Sequence, residues 1–312
     1  MPNAYTSTTA LSNLVKEAYD TSVRFALRSQ PQFRAVADTR PVSQAMPGSS
    51  VVFNIHQNLA AATTPLDEIV DPDSVALNNT TVVTVTLEQY GNHAIVTDLL
   101  QQFTFDGSLD TSAVTTIANN MADSVDLVVA NVLNSGDNNI VEDATGAITV
   151  VDQAGLAAAS ITKVLSAKDI RFATAKLRAA SVAPVDGVNY VAYIHPDVAA
   201  DFMSETGSAS WSAPHEYVDT ENIYAGEIGT YAGVRFISTP RAPYAAGTYT
   251  TFIVGAEALA EAVADEFHVE LNGTVVDPLN RKMAIGWKGT AGWSVFRPEA
   301  LWTVKTVSSL DV

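Results

Sequence analysis

The sequence predicts an α+β fold, in which strands and helices follow one another without a regular repeat. Three observations favour it: one long amphipathic helix pattern, strand patterns on both sides of it, and a block of alternating strand and short-helix patterns between residues 166 and 264. The chain has 312 residues, enough for one large domain or two modest ones with a sizeable core.

The long helix is predicted by an apolar stripe between residues 110 and 134. Asp110 is placed to cap its first turn, and Asn134-Ser135-Gly136 ends the pattern. At 1.5 Å per residue, roughly 24 residues span about 36 Å, more than an average helix. We interpret this helix as a structural spine rather than a cofactor site. Its stripe consists of Ile117, Met121, Val125, Val128 and Val132.

Two distinct segments are predicted before the spine. Residues 9–30 have the spacing of a helix that Pro31 ends, and further prolines follow, so we expect residues 1–45 to form an N-terminal arm that adds little to the core. Ser50–Asn58 and Thr80–Tyr90 have strand patterns, and about twenty residues join them. Connections of that length are uncommon inside compact domains, so residues 46–100 are predicted to be an extended β-hairpin loop.

After the spine, the pattern becomes that of a compact α/β unit. Ser166-Ala-Lys-Asp169 resembles a capping box with Asp in place of Glu, and it should open a helix that continues to Ala180. The following elements are predicted to be a strand at Val188–Ile194, a helix at Asp197–Glu205, a strand at Tyr249–Val254 and an alanine-rich helix at Ala256–Ala264.

The C-terminal residues return to strand patterns. Asn272-Gly273 lies within Phe267–Val276 and is typical of a type I′ hairpin turn. Three more strands are expected, and we expect the whole segment to pack beside the spine. These strands are Met283–Lys288, Trp293–Arg297 and Leu301–Val307.

The charge pattern suggests contact between copies of the chain. Only 16% of residues are charged, against about 25% in typical soluble domains, and the formal net charge is −17. Residues 41–162 contain 14 acids and no Lys or Arg. This stretch is either a solvated acidic face or a docking surface for a basic segment of a neighbouring copy, because opposite potentials set register and orientation. The candidate contact residues are Arg24, Arg28, Arg34 and Arg40 on the arm, and Asp67, Glu68, Asp71 and Asp73 on the loop.

A search for chemistry finds little. The chain has no cysteine, which excludes disulfide scaffolds, thiolate zinc sites and cysteine nucleophiles. The five histidines lack metal-ligand spacing, although His56 and His93 could face each other across the predicted hairpin. Asp71-Pro-Asp73 begins like a calcium loop but lacks the required Gly and Glu. We therefore expect no enzyme activity and no catalytic, cofactor-binding or metal-binding residue. An α/β enzyme remains the alternative. The sequence contains no apolar run of 18 residues, so no membrane-spanning helix is predicted.

One segment points to a family. Residues 226–240, with the sequence GEIGTYAGVRFISTP, combine glycines suited to tight turns with a Val-Arg-Phe-Ile strand. The segment resembles part of the axial domain in major capsid proteins of tailed double-stranded DNA bacteriophages. The order of arm, long hairpin, spine helix, α/β unit and returning β segment also resembles the Hong Kong 97 type capsid fold, over almost the whole chain.

The resemblance implies both an architecture and a function. It implies an N-terminal arm at 1–45, an extended loop at 46–100, a peripheral domain at 101–165 and 265–312 with the spine helix at 109–134, and an axial domain at 166–264. It implies self-assembly as hexamers and pentamers into an icosahedral shell that matures from a procapsid and encloses DNA without sequence-specific binding. Some family members crosslink a Lys to an Asn of a neighbour. The extended loop here has no Lys, so we expect no such crosslink.

The implied surroundings follow from the same resemblance. The partners would be other copies of the chain, with scaffold, portal and decoration proteins but no membrane, and the location would be the virion after assembly in the host cytoplasm. Two alternatives stay open at this point. One is an encapsulin-like nanocompartment shell around a protein cargo, and the other is a phage tail structural protein, which the long helix fits less well.

Overall fold

The structure is a computed structural model that describes residues 31–41, 50–55, 59–66, 69, 74–75, 81–97, 99–100, 109–205, 229–271 and 281–310. The predicted helix at 9–30 and the Asn272-Gly273 turn lie outside these residues. The described strands up to the spine are β1 (Ala37–Pro41), β2 (Ser50–Ile55), β3 (Thr81–Thr86) and β4 (Glu88–Thr97), and the spine helix is α1 (Leu109–Asn134). The later elements are β5 (Asn139–Glu142), β6 (Ile148–Val151), α2 (Ala167–Ala179), β7 (Tyr190–Ile194), α3 (Pro196–Ser204), β8 (Thr230–Tyr231), β9 (Val234–Ser238), β10 (Tyr244–Ala245), β11 (Thr248–Val254), β12 (Leu259–Leu271), β13 (Lys282–Val295) and β14 (Leu301–Thr306).

The larger sheet has the strand order β6-β5-β14-β11-β7-β9-β8, with β10 paired to β11. Both of its faces are covered, so β7 is buried at every position. Tyr190, Ala192 and Ile194 pack on the side of α2 and α3, whereas Val191 and Tyr193 pack on the side of α1. The continuous apolar pattern of this strand follows from that sandwich.

Short helices cover one face of this sheet, as the sequence predicts. Ser166 caps α2 in a capping box with Asp169, and this confirms the predicted start of the helix. His195 caps α3, where its Nδ1 accepts a hydrogen bond from the backbone N–H of Asp197 at 3.3 Å. Gly229 and Gly233 have φ angles of +67° and +82°, so the glycines of the family-like segment do supply the tight turns around β8 and β9.

The smaller sheet has the order β1-β12-β13-β4, with β1 parallel to β12 and the other pairs antiparallel. The strands β2 and β3 form a separate antiparallel pair, which confirms that the segments flanking the predicted loop are hydrogen-bonded partners. The predicted strand Thr80–Tyr90 is nevertheless interrupted at Leu87. Its first part pairs with β2, and its continuation enters the four-stranded sheet as β4.

The spine helix α1 connects the two sheets. In its N-terminal half, Ile117 packs with Ile285 and Trp287 of the smaller sheet. Towards its C-terminal end, Val129 and Leu133 are fully buried in a cluster with residues of both sheets. At 1.5 Å per residue its 26 residues span about 39 Å, so one rigid element crosses both layers. The structure thus confirms the predicted helix and its packing beside the C-terminal strands.

Three local predictions are wrong. The alanine-rich segment Ala256–Ala264 is not a helix, because it enters β12, where alternate residues face opposite sides of the sheet. Helix propensity is a weak preference that tertiary packing overrides. The predicted strands Met283–Lys288 and Trp293–Arg297 are largely one strand, β13, which is held in register by β12 and β4.

The third correction concerns the arm. Residues 33–36 form a 3-10 helix and residues 37–41 form β1, and Phe33 and Val36 are buried in the core. The part of the arm that follows Pro31 is therefore integral to the subunit. The division of the remaining chain into domains stays a prediction, and one sheet combines β5 and β14 from the predicted peripheral residues with strands of the predicted axial ones.

Candidate assembly surface

A buried carboxylate anchors the beginning of the described chain to the spine. Asp126 lies on α1 and is 1% exposed. Its Oδ1 accepts the backbone N–H groups of Gln32 at 2.9 Å and Phe33 at 2.8 Å, and its Oδ2 accepts Nε of Arg241 at 2.8 Å. Three separate segments therefore meet at one side chain.

An aromatic contact reinforces this anchor. The ring of Phe33 meets Tyr193 and Phe252 edge-on, at centroid distances of 5.0 and 5.8 Å. The hydroxyl of Tyr193 donates to the carbonyl oxygen of Gln32 at 3.0 Å. Burial, with a smaller contribution from Asp126, raises the pKa of Tyr193 to about 12, so this hydroxyl stays a donor at any physiological pH.

A second buried carboxylate holds the segment that follows. Glu261 of β12 is fully buried, and its Oε1 accepts Nε of Arg34 at 2.7 Å. Its Oε2 accepts the hydroxyl of Thr39 in β1. Arg34 also lies 3.8 Å from the exposed Glu266. A fully desolvated carboxylate that loses its partner is strongly destabilising, so this pair constrains β1 on β12.

The β2–β3 pair rests on the smaller sheet through a small apolar cluster. Phe53 and Val85 are buried against Ala260 and Ala262 of β12, and Phe53 meets Phe296 at 5.8 Å. Because their side chains are small, Ala260 and Ala262 leave space for the β2–β3 pair to pack on the sheet. Gly292 of β13 is required at the same place, because a Cβ there would lie 2.0 Å from the carbonyl oxygen of Thr86.

Beyond this base, the loop exposes apolar side chains in an acid-rich segment. Monomeric proteins rarely expose large patches of apolar side chains, and such patches commonly mark interaction sites. In the described parts of residues 50–86, the exposed large apolar residues are Val52, Leu59, Leu66, Ile69, Val75 and Val82. Ile69 is 92% exposed.

The predicted contact residues are only partly within the described ranges. Arg24 and Arg28 of the arm, and Asp67, Glu68, Asp71 and Asp73 of the loop, lie outside them. Arg40 lies in β1, and its backbone is opposite Ala262. Arg34 is the one predicted residue with a described side chain, and its guanidinium group is bound within its own subunit.

The histidines considered as candidate metal ligands do not come together in the described residues. His93 lies in β4 opposite Gly286, and therefore outside the β2–β3 pair, while His56 lies outside the described residues. Among the described residues, no group of three or more potential ligands could hold a metal ion. No helix in the described ranges is long and apolar enough to cross a membrane.

Two further buried groups have shifted pKa values without forming a site. Burial lowers the pKa of Lys305 to about 8, and its Nζ donates to Asn134 at 2.6 Å and Thr250 at 3.0 Å. Burial raises the pKa of Asp169 to about 6, while its bonds to Ser166 act in the opposite direction. Lys305 ties the end of α1 to β11 and β14, whereas Asp169 closes the capping box of its own helix.

Sequence analysis did not identify Asp126, Glu261 or Arg241 as important. A signal existed for the first two, because each acid interrupts an apolar pattern: Asp126 follows Val125 on the spine stripe, and Glu261 lies between alanines of an alternating strand. Acids in such positions are rarely left unpaired. Their partners lie more than 90 residues away in the chain, so spacing alone could not reveal them.

Comparison with known proteins agrees with the geometry. The profile of a family described as phage capsid protein matches residues 106–297, more than half of the chain. No curated protein sequence gives a significant match. Among solved structures, the capsid protein of cyanophage Pam1 superimposes with a TM-score of 0.70 at 14% identity, over 100% of both chains.

Two further structures are similar. The acid-stable capsid of Helicobacter pylori bacteriophage KHP30 gives a TM-score of 0.70 at 12% identity, over 98% of this chain and 99% of that one. Mycobacterium phage Che8 gives 0.65 at 15% identity, over 95% and 98%. At such identities the likeness shows a shared fold, and the family match shows the relationship. The chain belongs to the phage capsid protein family and is a major capsid protein of the virion.

Proposed function

We propose that this chain tiles an icosahedral shell, as hexamers and pentamers that enclose double-stranded phage DNA. The main support is the β2–β3 pair, whose base is packed on its own subunit while the loop presents apolar side chains to solvent. Permanent interfaces between subunits commonly bury about 2,000 Å² or more, and such side chains supply the apolar part of one.

The charge balance suits a container for a polyanion. Nucleic-acid binding depends on clustered Lys and Arg that neutralise phosphates. This chain has 34 acids against 17 bases, so its surface holds DNA without attachment and without sequence preference. Its role is structural, and we propose no catalytic activity for it.

The arm provides the second element of assembly. We propose that Arg24, Arg28 and Arg40 pair with Asp67, Glu68, Asp71 or Asp73 of a neighbouring copy. Arg34 is excluded from this set, because it already neutralises the buried Glu261 of its own subunit. Complementary charges of this kind set the register of neighbouring subunits and weaken with added salt.

The remaining expectations are part of the same proposal. The extended loop, peripheral domain and axial domain would have the boundaries predicted from the sequence, whereas the arm would comprise residues 1–30 only. Assembly would take place in the host cytoplasm with scaffold, portal and decoration proteins, before procapsid maturation. A nanocompartment shell would differ in its content, which is protein cargo rather than DNA.

The test is assembly of the purified chain, followed by light scattering and negative-stain imaging. We expect capsomer rings or closed icosahedral particles, whereas a stable monomer or a tube contradicts the proposal. Changing Arg24, Arg28 and Arg40 to Glu should stop assembly and leave a folded subunit. A second variant also replaces Asp67, Glu68 and Asp71 with Lys. It should restore particles only if these charges meet across the interface.

A further inference from the structure

A surface cavity lies between the spine helix and the first described residues of the chain. We propose that this cavity receives apolar side chains from residues 21–30 of the same chain, and so fixes where the N-terminal arm leaves the subunit. The inference does not depend on shell assembly, because the two binding partners belong to one polypeptide.

The cavity is mainly apolar and has a volume of about 310 Å³. One wall is the face of α1 formed by Met121, Ala122 and Val125, and the opposite wall is Phe267 of β12. An engineered apolar cavity of about 150 Å³ takes up a benzene molecule, so this one has room for about two side chains of that size. Its remaining lining comes from Pro31, Gln32, Arg34, Ala35 and Asp126.

The electrostatics of the rim favour a basic occupant. Around the cavity, the carboxylates of Asp123, Asp126, Glu261 and Glu266 lie between 2.7 and 3.8 Å from the guanidinium groups of Arg34 and Arg241. Carboxylates outnumber guanidinium groups in these described ion pairs, so a basic segment suits the rim better than an acidic one. The acidic extended loop of a second copy is therefore a poor occupant, because like charges oppose its approach.

Residues 21–30 have the complementary composition. Their sequence, TSVRFALRSQ, contains two arginines, no acid and the apolar residues Val23, Phe25 and Leu27. Pro31 is itself part of the cavity lining, and Leu27 is only four residues before it. Four extended residues span at most about 14 Å, so covalent attachment keeps these side chains close to the cavity.

Because the natural chain has no cysteine, introduced pairs report on this contact without background. Leu27→Cys and Phe25→Cys are each combined with Met121→Cys in the full-length chain and oxidised mildly. We expect a disulfide within one chain, seen as a faster monomer band without reductant. The matched control replaces Met121→Cys with Leu127→Cys, which lies on the same helix with a side chain 59% exposed. Its crosslinking should be at least about tenfold slower, because a disulfide needs Cα atoms about 4.4–6.8 Å apart.

A second measurement covers the case in which a cysteine pair disturbs folding. Ala122→Trp fills the cavity from the spine, and Leu127→Trp adds the same side chain on the exposed face of the same helix. With the cavity blocked, trypsin should cleave after Arg24 and Arg28 about tenfold faster than in the natural chain, because burial of one large apolar side chain shifts docking by at least that factor. Leu127→Trp should leave the rate unchanged.

Three outcomes would overturn the proposal. The first is equal crosslinking to positions 121 and 127, and the second is equal cleavage rates in both tryptophan variants. The third is a crosslinked dimer in place of the intrachain product, which would assign the cavity to a neighbouring copy. Particle assembly is scored separately on the same proteins, so failure of the shell proposal and failure of the cavity proposal give different results.

Discussion

Replacing Asp126 with Asn measures how much one carboxylate contributes to fixing the arm. The substitution keeps the size of the side chain and an oxygen that can accept the N–H groups of Gln32 and Phe33. It replaces the other oxygen with an NH₂ group, which faces the Nε donor of Arg241 at the position where a 2.8 Å bond existed. The variant thus removes charge and one acceptor while preserving the packing.

The magnitude follows from the bonds that are changed. A hydrogen bond to a charged partner contributes about 1.5–3 kcal/mol, and one between neutral groups about 0.5–1.5 kcal/mol. Losing the bond to Arg241 and weakening the two backbone bonds should therefore lower the free energy of unfolding by about 2–4 kcal/mol. That is a large part of the roughly 5–15 kcal/mol by which most proteins are stable.

Asp123→Asn is the matched control. Asp123 lies on the same helix and binds Nη1 of the same arginine at 2.9 Å, but its side chain is 38% exposed. Solvent screening reduces such pairs to about 0–1 kcal/mol. Urea unfolding followed by tryptophan fluorescence should place the two variants at least about 1 kcal/mol apart, which is the smallest loss expected for Asp126→Asn minus the largest expected for Asp123→Asn. Equal losses would refute the argument that burial makes Asp126 the anchor.

Two other perturbations test the hairpin base and a buried lysine. Gly292→Ala should cost at least about 1–3 kcal/mol, because the new methyl group meets the backbone of Thr86, and it should expose Leu59 and Leu66 to faster chymotrypsin cleavage. Ser294→Ala on the same strand adds no atom and should change neither. The pKa of Lys305 is lowered to about 8, so the folded protein loses this proton at a lower pH than the unfolded chain does. The free energy of unfolding, relative to that of Lys305→Met, should therefore rise between about pH 8 and 10.5. Parallel pH profiles of these two proteins would contradict the shifted pKa.

How far the fold could be predicted depends on how local its causes are. The spine helix, the capping box at Ser166 and the buried strand β7 are specified by residues within one element, and all three were predicted. The helix predicted at Ala256–Ala264 was wrong, because the small side chains of this segment pack against Phe53 and Val85 of the β2–β3 pair, which lies far earlier in the chain. The strand pair β5–β6 was not predicted, since each strand has only four residues.

The same distinction applies to the candidate site. The apolar and acidic character of the extended loop is visible in composition, whereas the function of Arg34 is not. Spacing and charge group it with three other arginines, but the fold places it beside Glu261, 227 residues away. Tertiary contacts decide which of several similar arginines forms an ion pair inside the subunit. They also decide which arginines remain available to a neighbouring copy.

The position of Asp126 also explains why a charge is buried where an apolar residue would pack. It lies on α1 directly after Val125, where the helix enters a cluster that contains residues of both sheets. An apolar side chain there would leave the N–H groups of Gln32 and Phe33 without acceptors, at a cost of about 1–3 kcal/mol each. A carboxylate instead satisfies both and binds Arg241, whose segment follows β9 of the larger sheet. A force that a neighbouring copy applies to the arm is therefore transmitted through Asp126 to α1, the helix on which both sheets pack.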